Sequence, residues 1–334
     1  MLEYRSIVDL NNLIIRKLGQ FHAADLDLVV GIPRSGMLPA NLLALYLHLP
    51  LIDLDGYVEG REYWGGQRMR AAIHHGESKR TTQNRKVLIV DDSYSSGRAM
   101  KTARERIQNS DLNDIVLYAV AYIHPLKGDE VDIWLEKIEK RVFEWNVMQH
   151  VVLSTSCLDI DGVLCRDPLE SENDDGERYI QFLRTAQPLY RPSYRIGWLV
   201  TSRLEKYRSW TEEWLRLNSI EYENLVMLNL SSKEERIALG CHAEHKGNIY
   251  KHLPAELFIE SDAAQASKIA TLSRKPVFCT ETRQMHYHDT ITRLKNQARA
   301  GQFIRFSAPY RFLARETRPA RRKLRQFLHS ISEK

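Results

Sequence analysis

Short apolar runs alternate with stretches of helical period through the first half of the chain. Ile7, Leu10, Ile14 and Leu18 fall on one helical face and predict an amphipathic helix over residues 3–18. Residues 26–30 read as a strand, Gly31-Ile32-Pro33-Arg34-Ser35-Gly36 as a tight loop, and residues 38–46 as a helix. Val87-Leu88-Ile89-Val90 is apolar throughout and mostly β-branched, the pattern of a strand buried on both faces. After Gly97 the period is helical again, with Met100, Ala103 and Ile107 on one side. Another strand is predicted over residues 115–122, and the aromatic, charged stretch from Trp134 to Trp145 closes this half. Strands alternating with helices predict an α/β domain with a parallel, doubly wound sheet. A second series of apolar runs, read as strands, follows at residues 151–153, 198–200 and 257–259.

Composition narrows the class. A chain of 334 residues holds two ordinary domains, and 43% apolar with 27% charged residues is a globular rather than a disordered balance. No apolar run is long enough to span a bilayer, and Met1-Leu2-Glu3-Tyr4-Arg5 lacks a signal-peptide pattern. Cys157, Cys165, Cys241 and Cys279 form no C-x-x-C pair, so neither a zinc knuckle nor a disulfide framework is indicated. A reduced, cytoplasmic protein is expected. The net charge of +5 is concentrated towards the C-terminus.

The most informative chemistry follows the strand at residue 87. Asp91 and Asp92 stand at its carboxyl end, and Ser93-Tyr94-Ser95-Ser96-Gly97 leads into a helix. Backbone N–H groups at such a loop and helix N-terminus form a nest for a phosphate. Ionised carboxylates accept hydrogen bonds only, which suits the vicinal hydroxyls of a sugar. The stretch therefore reads as a site for a sugar phosphate. It resembles the motif of type I phosphoribosyltransferases that binds phosphoribosyl pyrophosphate (PRPP). That resemblance implies PRPP binding by Asp91, Asp92, Ser93, Tyr94, Ser95, Ser96 and Gly97. It also implies that Arg34, Ser35 and Gly36 hold the pyrophosphate, and that residues 55–85 form a hood over the acceptor. Within the hood Tyr63 and Trp64 would stack on a sugar, and Arg68 and Arg70 would reach a phosphate; simple hood packing fits these residues equally. Purine salvage relatives carry an acid three positions after the second aspartate. Here Ser95 stands there, which argues against a nucleobase acceptor.

A second motif begins after the apolar run at 151. Asp159-Ile160-Asp161-Gly162-Val163 resembles motif I of the haloacid-dehalogenase-like phosphatases. By that resemblance Asp159 is the nucleophile that becomes an aspartyl phosphate, and Asp161 is the acid and then the base. Thr201 matches the phosphate-holding residue of motif II, and Lys246, with Lys251 as competitor, the motif III lysine. A Mg²⁺ cofactor is implied on the Asp159 carboxylate and the Asp161 backbone carbonyl, completed by Glu260 or Asp262. The intervals from Leu164 to Trp198 and from Arg203 to Lys246 leave no room for a large cap, so the phosphate would ride on something large. The acidic run 170–177 reads as a solvated loop.

The expected architecture is thus a phosphoribosyltransferase domain at 1–148, a haloacid-dehalogenase-like domain at 149–288, also doubly wound, and a basic helical tail at 289–334. Between Arg305 and Arg325 the tail has eight Lys and Arg against one acid, interleaved with Phe306, Tyr310 and Phe312. It suits an anionic membrane surface, and equally a solvated helix folded back on the protein; no nucleic-acid-binding motif accompanies it. Together the resemblances resemble the systems that place ribofuranose in bacterial surface polysaccharides. They imply transfer of 5-phosphoribosyl from PRPP to a lipid-linked glycan with release of pyrophosphate, followed by removal of the 5-phosphate. The expected location is the cytoplasm, at the inner face of the membrane. Two rivals are nucleobase salvage with a nucleotide phosphatase, and a PRPP-sensing regulator that binds nucleic acid. Oligomeric state is left open.

Overall fold

The computed structural model describes residues 2–61, 84–230, 235 and 242–289. They fall into two compact units, one of residues 7–141 and one of residues 2–6 with 142–289. The chain opens on strand β1 (Glu3–Arg5), and helix α1 (Ile7–His22) starts only after it. The helix expected from residue 3 is displaced because tertiary contacts claim these residues. Arg5 is buried, the Tyr4 ring lies 5.3 Å from that of Phe278, and the Tyr4 hydroxyl donates to the Arg283 carbonyl at 2.7 Å.

In the unit 7–141, α1 is followed by β2 (Leu28–Gly31), α2 (Met37–Leu47), β3 (Leu51–Asp53) and α3 (Leu54–Val58). Then come β4 (Lys86–Tyr94), α4 (Arg98–Gln108), β5 (Ile115–Ile123) and β6 (Ile133–Lys137). The sheet is parallel throughout, in the order β3-β2-β4-β5-β6. Val87 and Ile89 join Leu28 and Val30 on one face, packed with Met100, Ala103 and Ile107 of α4; Val29, Leu88 and Val90 are equally buried on the other. Both faces are covered, which is why the run at 87 is continuously apolar rather than alternating. Strand β4 runs on past the apolar run. Asp91 pairs with Val120 and Ser93 with Tyr122 of β5, so the acidic pair lies in the strand rather than after it. Strand order reverses between β2 and β4, where a crevice opens at the carboxyl ends.

The second unit contains β7 (Arg141–Phe143), which pairs with β1, and then β8 (Ser156–Leu158), α5 (Glu177–Thr185), β9 (Ile196–Leu204), α6 (Arg208–Leu217) and β10 (Tyr222–Leu228). It continues with α7 (His242–His252), β11 (Leu257–Glu260), α8 (Ala263–Ser273), β12 (Val277–Cys279) and β13 (Gln284–His286). Its sheet has the order β10-β9-β8-β11-β12-β13, parallel except for β13. Leu158, Leu199 and Ile259 pack against Phe182, Trp214 and Leu215 on one face. Cys157, Val200 and Phe258 pack against Tyr250, Ala266 and Ile269 on the other. The reversal here falls between β8 and β11, so the residues that follow those strands share one crevice.

Two expectations are corrected. Val151–Thr155 is a 3₁₀ turn, not a strand: His150 Nδ1 accepts from the Val152 amide, and Val152 and Leu153 reach the core from the turn. The acidic run is structural rather than merely solvated. Glu172 pairs with Arg166 at 2.6 Å, Asp174 accepts from the Tyr179 amide beside α5, and Asp175 accepts from the Tyr207 hydroxyl at 2.7 Å. No described helix is long and apolar enough to cross a membrane.

Gly36, at the start of α2, tests how closely β2's loop meets β4. A Cβ there would stand 2.6 Å from the Ile32 carbonyl oxygen and 2.7 Å from that of Val90. Gly36→Ala should cost on the order of 2 kcal/mol or more in urea unfolding, because backbone atoms cannot give way cheaply. Gly19→Ala, in α1 with nothing within 4 Å, should instead stabilise by about 0.5–1 kcal/mol.

Candidate functional site

In the first unit the loop after β2 packs on strand β4. The Ile32 amide donates to the Val90 carbonyl at 2.9 Å, and Gly36 lies against Val90 and Asp91, so the loop 32–36 is fixed on the end of β4. Pro33 and Arg34 stand exposed across a cis peptide, and Ser35 is half-buried. Past the end of β4, Ser95 and Ser96 are exposed, and Gly97 adopts φ 77° to start α4. A side chain at Gly97 would be strained by that φ and would strike the Tyr94 hydroxyl at 2.3 Å. The expected pyrophosphate loop is therefore fixed on the strand that leads into the expected phosphate nest.

Asp91 and Asp92 are 7% and 4% exposed, and Asp91 Oδ1 accepts from the Asp92 amide at 2.8 Å. Burial, and then the neighbouring Asp92, push the Asp91 carboxyl up to about 7. Arg141 faces both acids; burial draws its guanidinium down and the two carboxylates partly restore it. Nothing in the sequence marked Arg141, which follows two further strands and a turn before returning to this end of the sheet. Tyr63, Trp64, Arg68 and Arg70 lie outside the described residues, as does the basic tail.

The second unit gathers Asp159, Asp161, Thr201, Lys246, Glu260 and Asp262 around one cavity of about 330 Å³. Lys246, 2% exposed, donates from Nζ to Asp159 Oδ2 at 2.5 Å, Glu260 Oε2 at 2.7 Å and Gln265 Oε1 at 3.1 Å. Burial alone would lower the ammonium's pKa, but Asp159 and Glu260 hold it above the lysine range. Lys251 is exposed on the same helix, so Lys246 alone of the two reaches the cavity. Asp161 is gripped by Arg203, whose Nη2 donates to Oδ1 at 2.6 Å and whose Nε donates to Oδ2 at 3.1 Å. The Arg203 side chain is fully buried. Thr201 is buried, and its hydroxyl accepts from the Arg203 amide at 3.2 Å.

Glu260, one of the two acids expected to complete the metal site, bonds through Oε2 to Lys246 and through Oε1 to the amides of Ser261 and Asp262. Among the described residues no three His, Cys, Asp or Glu side chains converge as ligands. The donor set nonetheless fits a hard divalent cation in charge and chemistry. Burial raises the Asp167 carboxyl, and Asp161, Asp159 and Asp262 raise it further. Burial followed by Asp159 lifts Glu260 to about 7. Asp167, Arg203 and Gln265 were not read from the sequence; Arg203 sits two residues past Thr201, inside the run that was read.

Two measurements check these electrostatics. Asp91 ionises near 7 when folded against an ordinary 3.8, so ionising it costs stability as pH rises from about 4 to about 7. Asp91→Asn should be more stable than wild type by on the order of 2 kcal/mol at pH 8, with no gain at pH 4, in urea titrations. Arg203→Met should cost about 3–5 kcal/mol, and adding Asp161→Leu should recover most of it.

Comparison with known proteins gives one family match. Residues 5–153 match the model of the phosphoribosyl transferase domain. A search of curated proteins finds no match. Among solved structures the chain is similar to a purine phosphoribosyltransferase from Pyrococcus horikoshii (19% identity, 43% of this chain and 93% of that one, TM-score 0.32). It is also similar to a xanthine-guanine-hypoxanthine phosphoribosyltransferase from Helicobacter pylori (16%, 44% and 93%, TM-score 0.30). A chain of the Pnkp1/Rnl/Hen1 complex aligns over 79% of this chain and 97% of its own (16% identity, TM-score 0.22). The N-terminal part of the protein, residues 5–153, carries a phosphoribosyl transferase domain.

Proposed function

We propose that the protein transfers 5-phosphoribosyl from PRPP to a glycan hydroxyl and then removes the 5-phosphate, leaving a β-ribofuranosyl residue. The observation that carries this reading is the buried Lys246 ammonium between Asp159 and Glu260, beside Asp161 and Thr201, in a chain that also has a phosphoribosyl transferase domain. In the first step the C1–O bond to pyrophosphate breaks and a C1–O bond to the acceptor forms on the opposite face. The acceptor's proton leaves to solvent. Asp91 and Asp92 take the ribose hydroxyls, the amides of the loop 93–97 take the 5-phosphate, and the loop 32–36 with Arg34 takes the leaving pyrophosphate. Ser95, where purine salvage relatives have an acid, favours a glycan over a base.

The second step follows the chemistry of haloacid-dehalogenase-like phosphatases. Asp159 attacks phosphorus, the P–O bond to the sugar breaks, and Asp161 gives the leaving oxygen its proton. Asp161 then takes a proton from water, which attacks the aspartyl phosphate and releases inorganic phosphate and the Asp159 carboxylate. Lys246 and Thr201 meet the phosphoryl oxygens, and Arg203 fixes how Asp161 points. Mg²⁺, when bound, would neutralise charge on the phosphoryl group, held by Asp159, the Asp161 carbonyl and Asp262. Glycan acceptors of this kind are lipid-linked, so the reading puts the protein in the cytoplasm at the inner membrane face.

The test is incubation with PRPP, Mg²⁺ and a panel of glycans and nucleobases, followed by mass spectrometry. Asp159→Asn should accumulate a glycan bearing pentosyl phosphate, and wild type should yield the dephosphorylated pentosyl glycan. Asp91→Asn with Asp92→Asn should yield neither. Ribosylation of free bases alone would replace this reading with nucleobase salvage.

A further inference from the structure

A second and larger cavity, of about 630 Å³, adjoins the reaction cavity of the unit that contains Asp159. The two share Asp167, Ser261 and Asp262 as a common wall. Gly162, next to Asp161, stands on that wall with φ 72°. A Cβ there would fall 2.3 Å from Ser261 Oγ and 2.8 Å from Asp167 Oδ2. Glycine therefore lets Ser261 and Asp167 close around the backbone beside Asp161, and nothing projects from position 162 into either space. The far wall of the larger cavity is made by Leu189, Tyr190, Glu281 and Arg283.

That far wall is tied to the strands that carry the reaction groups. The Thr280 amide donates to the Glu260 carbonyl at 2.8 Å, and the Leu189 amide to the Leu164 carbonyl at 2.8 Å. Arg283 Nη2 donates to the Tyr190 hydroxyl at 2.9 Å, while its carbonyl accepts from Tyr4. Tyr190 and Arg283 are thus held in place by each other and by the chain around them. The cavity is open to solvent, and it is larger than the one that holds the reaction groups.

Its chemistry selects among leaving groups. Asp167, Asp262 and Glu281 present three carboxylates against the single guanidinium of Arg283. If a divalent cation were to engage Asp262 and Asp167, Glu281 would still balance Arg283, and the far wall would offer no positive excess. A leaving group rich in phosphates therefore meets no attraction here. A neutral carrier with many hydroxyls meets carboxylates that only accept hydrogen bonds, and a tyrosine ring and leucine for the apolar face of a sugar. We propose that this cavity is the leaving-group subsite of the phosphatase centre and takes an uncharged polyhydroxylated carrier, a glycan chain, behind the phosphorylated pentose. The proposal rests on the phosphatase reading given above.

The test uses the full-length protein with Mg²⁺ and three phosphomonoesters. They are para-nitrophenyl phosphate, a neutral oligosaccharide ending in ribofuranosyl 5-phosphate, and a short oligonucleotide with a terminal 5′-phosphate. Wild type should prefer the oligosaccharide to the oligonucleotide by at least tenfold in kcat/KM. Glu281→Lys and Tyr190→Ala should each raise KM for the oligosaccharide about tenfold and leave para-nitrophenyl phosphate hydrolysis unchanged, with unfolding midpoints matching wild type to show intact folding. Glu281→Lys should also lower KM for the oligonucleotide. Hydrolysis of the aryl ester with oligosaccharide KM unaltered in both variants would overturn the subsite and spare the phosphatase reading. A preference for the oligonucleotide would assign the cavity to nucleic acid and overturn it too. Failure to hydrolyse even the aryl ester would remove the phosphatase reading, and the subsite with it.

Discussion

The second unit depends on an ammonium group taken out of water. Lys246 is buried on α7 and bonded to Asp159 after β8 and to Glu260 at the end of β11. Desolvating such a charge costs several kcal/mol, which only close carboxylates and a well-formed hydrogen-bond set offset. Gln265 from α8 takes its third proton. The amides of Ser261 and Asp262 hold the other oxygen of Glu260, so the anion that balances Lys246 is itself fixed by the start of α8. Two strands and two helices are thereby positioned around one nitrogen atom.

The same constraint governs both units in different forms. Each parallel sheet reverses its strand order once among the strands whose ends carry acids, and the crevice at that reversal is where charged groups can be partly buried and still meet a ligand. In the unit 7–141 the buried pair Asp91 and Asp92 faces the Arg141 guanidinium, but for Asp91 burial and the neighbouring acid outweigh it. Asp91 is accordingly lifted towards neutral pH. In the other unit Asp161 is paired with Arg203 at 2.6 Å, and burial with the neighbouring acids raises Asp167 and Glu260.

Much of this was legible in the chain because it is local. The apolar run at 87, the hydroxyl loop before Gly97 and the Asp-x-Asp-Gly element each declare a strand end and its chemistry within a few residues. What could not be read is what arrives from elsewhere. Arg141, Asp167 and Gln265 become neighbours of the acids only through tertiary folding, and residue type alone gives them no signal. Periodicity failed where packing overruled it. Residues 3–5 fit a helical face but are held as a strand by β7, and Val152 and Leu153 reach the core from a 3₁₀ turn. The acidic run at 170–177 looked like solvated charge because caps and ion pairs depend on partners such as Tyr207 and Arg166 that composition does not show.

The pairing of β1 with β7 also gives the chain an unusual connectivity. Glu144 donates its amide to the Arg5 carbonyl at 3.0 Å, so the two ends of the segment 7–140 are clasped within one small sheet. In polymer terms that segment is a closed loop inserted into the second unit. Closing a loop of this length carries an entropy that grows only as the logarithm of its size, and a segment already folded has far less of it to lose. The order of events on the ribosome follows from this. Residues 2–6 emerge before the insert yet find their strand partner only after all of it, and Phe278 later still. The unit 7–141 is free to fold during that wait, so the second unit's own N-terminal strand is among the last pieces it receives.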